Sequence, residues 1–183
     1  YGISLTPLQT LTFYNAIAND GVMVKPRFIK EVKQFDQVIE KFDTEIISNS
    51  VCSKETIDKV KNMMKNVVEK EHGTAHNIYS EDFSMAGKTG TVQVVRISEE
   101  EREKGIIKNK DREWKKRDHA LFVGYAPLEK PKYSICVIVE HGGSGSKVAA
   151  PIARDIMLFQ IYGGIPPIKA YPEKQQAAVR NRL

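Results

Sequence analysis

The sequence predicts an α+β domain in which helices pack on an antiparallel β-sheet. Three observations carry this reading. Periodic segments run in the order helix, short strands, helix, strand, strand, strand, helix. The three late strands are joined by turns or by a charged excursion, with no crossover helix of the kind a parallel sheet needs. Amphipathic segments at Lys54 to about Lys70 and at about Ala149 to Tyr162 are placed to cover such a sheet. The 183 residues, 41% hydrophobic and 28% charged, suffice for one domain with a real core.

Taken in order, Thr6-Pro7 opens the first helix, with threonine as N-cap and proline at the first helical position. Leu8, Leu11, Ala16, Ile17 and Ala18 form its apolar face, and Asn19-Asp20-Gly21 stops it. Short extended segments follow at Val22–Val24, Arg27–Val32 and Gln37–Phe42. Ser53 caps the second helix, whose expected buried stripe is Ile57, Val60, Met63, Met64, Val67 and Val68. Phe83–Val95 holds a glycine-punctuated strand. A charged excursion runs from Arg96 to Asp118, with a short helix at Glu99–Lys104 ended by Gly105. Strands at Ala120–Tyr125 and Tyr133–Glu140 flank a turn with Pro127 and Pro131. The glycine-rich loop His141–Gly145 leads to the last helix. Residues 163–183, rich in Pro, Lys and Gln, read as a flexible C-terminal tail after a unit spanning 1–162.

Several function classes drop out. No apolar run approaches the ~18–20 residues of a membrane span; the longest is Ile135–Val139. The chain opens on Tyr1-Gly2-Ile3-Ser4 without an initiator Met and so reads as a piece of a longer protein, with any export signal or anchor upstream. The net charge of +5 is mild. Its basic runs, Lys104–Arg117 and Lys169–Arg182, lack the aromatic interleaving of a nucleic-acid site, and the first is mixed with acidic residues, so no nucleic-acid partner is expected. Cys52 and Cys136 leave one disulfide open as an option, with Cys136 read as a core residue. His72, His76, His119 and His141 show no metal-ligand spacing, so neither a metal nor another cofactor is expected.

The most informative residues are Lys88-Thr89-Gly90-Thr91. On a strand beside a cleft, Lys88 supplies a fixed positive charge, and Thr89 and Thr91 supply hydroxyls for an anion such as a carboxylate. Gly90 lets a substrate backbone lie alongside and pair as an added strand. The Thr91 N–H is placed to meet a developing oxyanion. Taken alone, these four residues are more simply read as a plain edge strand with a glycine bulge.

The surroundings decide. The segment from Tyr1 through Thr6-Pro7-Leu8-Gln9, then Ala16-Ile17-Ala18-Asn19-Asp20-Gly21 and Lys25-Pro26, resembles class B penicillin-binding proteins. So do Ala86-Gly87-Lys88-Thr89-Gly90-Thr91-Val92-Gln93 and His119–Pro127. Val139-Glu140-His141-Gly142-Gly143-Ser144-Gly145 with Ala149–Arg154 is most similar to the elongation type, penicillin-binding protein 2. The resemblance implies part of the transpeptidase fold shared with serine β-lactamases. It implies a D,D-transpeptidase that cross-links peptidoglycan stem peptides through an acyl-serine and that β-lactams acylate. It further implies cell-wall elongation partners and a location at the periplasmic face of the bacterial inner membrane, anchored upstream. Of the family motifs Ser-x-x-Lys, Ser-x-Asn and Lys-Thr-Gly, only the third is present, at Lys88–Gly90. By motif position, Lys88 stabilises the anionic end of the donor and tunes proton transfer. Thr89 and Thr91 bind its carboxylate, Gly90 leaves room, and the Thr91 N–H is an oxyanion donor.

The chain alone is therefore expected to be inactive. Ser144-Gly145-Ser146-Lys147 fits Ser-x-x-Lys by spacing only, since a serine in a glycine-rich loop is not held against its lysine. Rival readings are a serine β-lactamase or β-lactam sensor domain, a non-catalytic peptide-binding module, and a basic surface-binding domain. The excursion Arg96–Asp118 is expected to be a solvated overhang, anchored by Trp114, that gates the acceptor side. An apolar surface left bare without the serine-bearing helices is expected to promote self-association.

Overall fold

The computed structural model describes residues 3–105 and 107–181. Tyr1 and Gly2, which open the resemblance, Ile106 in the excursion, and Arg182 and Leu183 at the end of the basic tail lie outside the described residues.

Helix α1 spans Pro7–Ala18. Its start is a reciprocal capping box: Gln9 N–H donates to Thr6 Oγ1 at 3.2 Å, and Thr6 N–H donates to Gln9 Oε1 at 2.8 Å. The stop at Asn19-Asp20-Gly21 works because Asp20 and Gly21 take positive φ, 54° and 93°. Four short strands follow: β1 (Met23–Val24), β2 (Glu31–Gln34), β3 (Gln37–Lys41) and β4 (Ile46–Ser48). β1 pairs with β4, and β2 with β3, all antiparallel. The extended segment expected at Arg27–Val32 is displaced: pairing starts at Glu31 and runs to a two-residue turn, Phe35-Asp36, with φ of 47° and 64°. Two positive φ values suit the right-handed twist of a tight hairpin, so the turn sets the register.

Helix α2 (Lys54–Glu69) starts at Ser53, whose hydroxyl accepts from Thr56 N–H. Ile57, Met64 and Val68 are buried as expected, but Met63 is 64% exposed. It stands beside Met64 in sequence and is therefore rotated off the inward face.

The central sheet has three antiparallel strands in the order β5 (Ala86–Val92), β6 (His119–Ala126), β7 (Tyr133–Val139). β5 is an edge. Lys88 pairs with Val123, Thr89 with Phe122, Gly90 with Leu121 and Thr91 with Ala120. Alternation along the strands gives the sheet two faces. On one, Ala86 and Tyr125 pack with Ile17, Ala18, Ile57 and Met64 of α1 and α2. On the other, Ala120 and Phe122 pack with Ala150, Ala153, Met157 and Leu158 of the last long helix. Between β5 and β6 the short helix α3 (Glu99–Lys104) lies where the sequence puts it, capped by Ser98 and ended at Gly105 with φ 106°. Helix α4 (Ala150–Tyr162) follows a single π-turn, Gly145–Ala149, and ends at Gly163 in the left-handed conformation.

The segment after Tyr162 is more ordered than its composition suggests. It forms a 3-10 turn at Ile168–Ala170 and helix α5 (Glu173–Arg180), and Ala170 and Tyr171 join the larger core. One side chain explains this. Arg154, 3% exposed, pairs with Asp155 at 2.7 Å, donates to Gln175 Oε1 at 2.7 Å and lies 5.3 Å from the Tyr171 ring centroid. A buried guanidinium needs such partners, and α5 supplies one of them.

Tyr125 gives a testable consequence. Its hydroxyl is buried with no hydrogen-bond partner among the described residues. Burial first, and then the charge of Asp20, push its pKa up to about 12. The folded state therefore holds the proton while an unfolded chain loses it near pH 10, and stability falls as pH rises from about 10 to about 12. Tyr125→Phe removes an unsatisfied polar group and is expected to be neutral or stabilising by about 1 kcal/mol. It should also flatten that alkaline decline; urea unfolding at pH 8 and pH 11 checks both effects.

Candidate active site

The Lys88–Thr91 segment lies on the open edge of the sheet. Antiparallel pairing turns alternate residues inward and outward. Gly90 N and Leu121 O lie together beneath Gly145, which marks an inward pair. The Thr89 carbonyl instead accepts from Lys88 Nζ at 2.8 Å. Thr89 and Thr91 thus present their backbone groups along the free edge. The side chains divide between the two faces. Lys88 is exposed and borders a groove on the α1–α2 side, whereas Thr89 and Thr91 share the opposite face. The Thr89 hydroxyl is 2.9 Å from the hydroxyl of Thr74, a residue of the loop after α2.

Gly90 is packed closely against the neighbouring strand. A β-carbon there would sit 3.0 Å from Leu121 Cδ2. Gly145, at the head of the π-turn, crosses directly over this point, and its own β-carbon would lie 2.4 Å from Leu121 O and 2.5 Å from Gly90 O. The glycine-rich loop therefore backs the strand that carries the motif. It makes a tight turn, with Gly143 at φ 78°.

Beside Lys88 runs a cavity of about 490 Å³, lined by Phe13, Tyr14, Cys52, Val60, Met63 and Met64 among others. The sequence leads one to expect bare apolar surface on a sheet face, whereas this groove lies mainly between α1 and α2. Cys52 is exposed at its lip, whereas Cys136 is half-buried on β7; both thiols are free, and burial pushes the Cys136 thiol up. Cys136 is thus less enclosed than its strand pattern suggests.

Ser144 and Lys147 do not form a nucleophile pair. The Ser144 hydroxyl accepts from the Lys147 backbone N–H at 3.3 Å and lies 3.2 Å from the Ser146 hydroxyl, so it caps the π-turn. Lys147 itself is exposed. Among the described residues, no group of three or more His, Cys, Asp and Glu side chains could hold a metal ion. No described helix is long and apolar enough to cross a membrane.

The excursion is closed at its base by hydrogen bonds around Asp118. Asp118 Oδ1 accepts from Val94 N–H, Asn109 Oδ1 accepts from Asp118 N–H, and Asp118 O accepts from Gly143 N–H. His119 and His141 are engaged as well. His119 Nδ1 accepts from the His141 N–H at 2.9 Å, and His141 Nδ1 is 3.0 Å from the Arg117 carbonyl, to which it must be the donor. Trp114 packs on His141 with ring centroids 4.5 Å apart. Through this contact it joins the excursion to the glycine-rich loop. Thr74 carries no local sequence signal of its own beyond the helix-breaking Gly73 before it.

Comparison with known proteins agrees with this geometry. The family model described as penicillin binding protein transpeptidase domain matches residues 1–158. The peptidoglycan D,D-transpeptidase MrdA of Haemophilus influenzae is 30% identical over 169 residues, covering 91% of this chain and 25% of the relative. Stage V sporulation protein D of Bacillus subtilis is 29% identical over 181 residues, covering 96% and 25%. The chain thus spans about a quarter of the length of these curated relatives. Among solved structures, Helicobacter pylori PBP2 in complex with MreC is similar at TM-score 0.62 and 31% identity, over 86% of this chain and 25% of that one. Pseudomonas aeruginosa PBP2 in complex with WCK 5153 is similar at TM-score 0.62 and 31% identity, over 92% and 32%. A free strand edge carrying Lys-Thr-Gly, with helices packed on both faces of its sheet, thus has a setting: the chain belongs to the penicillin-binding protein transpeptidase domain family, in its class B branch of PBP2/MrdA type.

Proposed function

We propose that this chain forms the C-terminal part of a peptidoglycan D,D-transpeptidase site and supplies the rail on which the donor stem peptide docks. One observation carries the reading: the edge strand turns the Thr89 and Thr91 backbone outward, with the Lys88 ammonium held at that edge on the Thr89 carbonyl and the Thr89 hydroxyl on one face. A peptide ending in a carboxylate meets backbone partners, hydroxyl donors and a positive charge on one strand.

In the whole enzyme, a serine from outside this chain attacks the penultimate D-alanine carbonyl of the donor. The oxyanion forms beside the Thr91 N–H. The C–N bond to the terminal D-alanine breaks, and the leaving amine takes a proton. An amine of a second stem peptide then attacks the ester and frees the serine. β-Lactams enter as donor mimics. Lys88 orients the donor carboxylate and tunes proton transfer, Thr89 and Thr91 bind the carboxylate, and Gly90 keeps the edge clear. The whole protein acts at the periplasmic face of the inner membrane, held by an upstream anchor, with an elongation partner of the kind seen in the Helicobacter pylori complex.

The chain alone carries Lys-Thr-Gly but neither Ser-x-Asn nor a held Ser-x-x-Lys. It is expected to show no mass shift with a fluorescent penicillin, while the full-length gene product takes one label per molecule. A stoichiometric adduct on the chain, or none on the full-length protein, overturns the reading. The apolar groove beside Lys88 also makes the isolated chain self-associate. Sedimentation velocity should show oligomers that Met63→Glu reduces, and a pure monomer at high concentration excludes this.

A further inference from the structure

The Thr74–Thr89 hydroxyl pair points to a positioning residue outside the three family motifs. The two oxygens lie 2.9 Å apart. A threonine hydroxyl has one proton and two lone pairs, so of such a pair one donates inward and the other keeps its proton for a third group. An anion selects the arrangement in which the strand residue faces it with O–H. If Thr74 accepted from Thr89, that proton would be lost to the ligand; with Thr74 as donor, the Thr89 proton is free to point along the strand edge.

Thr74 can do this because its loop is held from both sides. Gly73 N–H donates to Lys70 O at 2.8 Å, and Ala75 N–H donates to Val67 O at 2.9 Å, folding the loop back on the last turn of α2. A β-carbon on Gly73 would lie 2.4 Å from Val67 O, so no other residue fits there unmoved. Ala75 is fully buried. Thr74 is thus an exposed hydroxyl between two pinned neighbours, facing the motif strand.

We propose that Thr74 is a positioning residue for carboxylate recognition: it orients the Thr89 hydroxyl so that its proton meets the carboxylate of the bound peptide or β-lactam. This rests on the reading that the Lys88–Thr91 strand binds a carboxylate, and the test separates the two. Second-order acylation constants are measured on the full-length protein for a penicillin and for the same penicillin with its carboxylate as the methyl ester. Thr74→Val, which keeps shape and removes the hydroxyl, is expected to slow acylation by the free acid roughly tenfold and to leave the ester unchanged. Thr74→Ser should restore the wild-type rate with the acid. Thr89→Val serves as the control on the underlying reading and should likewise lose its preference for the acid. Equal loss on acid and ester in Thr74→Val, or no loss on either, overturns the role of Thr74. If Thr89→Val keeps the full preference for the acid, the carboxylate reading of the strand falls with it.

Discussion

Phe122→Ala is expected to lower the unfolding free energy by about 3–5 kcal/mol. Phe122 is 0% exposed and packs into the larger core with Met157, Leu158, Ala150 and Ala153. Its ring also fills the space of a missing side chain. A β-carbon on Gly87 would lie 2.2 Å from Phe122 Cζ, so the ring is seated against the bare backbone of β5. Truncation removes both the transferred surface and the contacts of that seat, and the backbones of two paired strands cannot close the gap. The loss is large against a total of about 5–15 kcal/mol for a domain. The site should feel it too, because Phe122 is the register partner of Thr89. Urea unfolding is expected to show a lower midpoint with an unchanged slope. A loss below about 1 kcal/mol would mean that the sheet is not held from this face.

The sequence made this sheet readable because its signals are local. β6 and β7 are apolar runs bounded by turn residues, and α2 shows a helical stripe behind a serine cap. Helix α3 has both ends written in the sequence, Ser98 and Gly105. What escaped depends on partners distant along the chain, or on a backbone conformation that its residue does not advertise. The Phe35-Asp36 turn uses two positive φ values without the Asn-Gly or Asp-Gly pair that signals them. β4 is three residues long and exists because β1 pairs with it. The order after Tyr162 hangs on Arg154 and Gln175, which are separated by 21 positions and which no composition window connects.

The candidate site divides along the same line. Lys88, Thr89, Gly90 and Thr91 are legible as a motif, and all four lie on the edge strand β5. Thr74 is not legible, since its only mark is a hydroxyl brought within 2.9 Å by the fold. Met63 shows the limit of periodicity. Helical spacing assigns it to a stripe, but the stripe continues past the packed face into the groove beside Lys88.

Lys88→Ala is expected to lower the acylation rate of the full-length protein by about 10²–10⁴-fold while leaving the fold intact. The two effects separate because of where the side chain sits. Lys88 is exposed and forms no ion pair among the described residues; its ammonium rests on the Thr89 carbonyl at 2.8 Å. That contact is a single hydrogen bond along the strand edge, so its loss should change stability by no more than about 0.5 kcal/mol. The same contact keeps the charge ready for a ligand. A carboxylate arriving at the edge offers a stronger partner than a backbone carbonyl, and the lysine can turn toward it at little cost. Lys88→Arg should not restore the rate, because a planar guanidinium places its charge farther out and with a different hydrogen-bonding geometry than an ammonium. A thermal melt within 2 °C of wild type, together with the loss of acylation, is the expected pair of results. If acylation stays within threefold of wild type, the cation on this strand is a surface charge and the strand does not serve as the docking rail. If the melt drops with the rate, the lysine holds the sheet edge together, and the two faces of β5 are less independent than their geometry indicates.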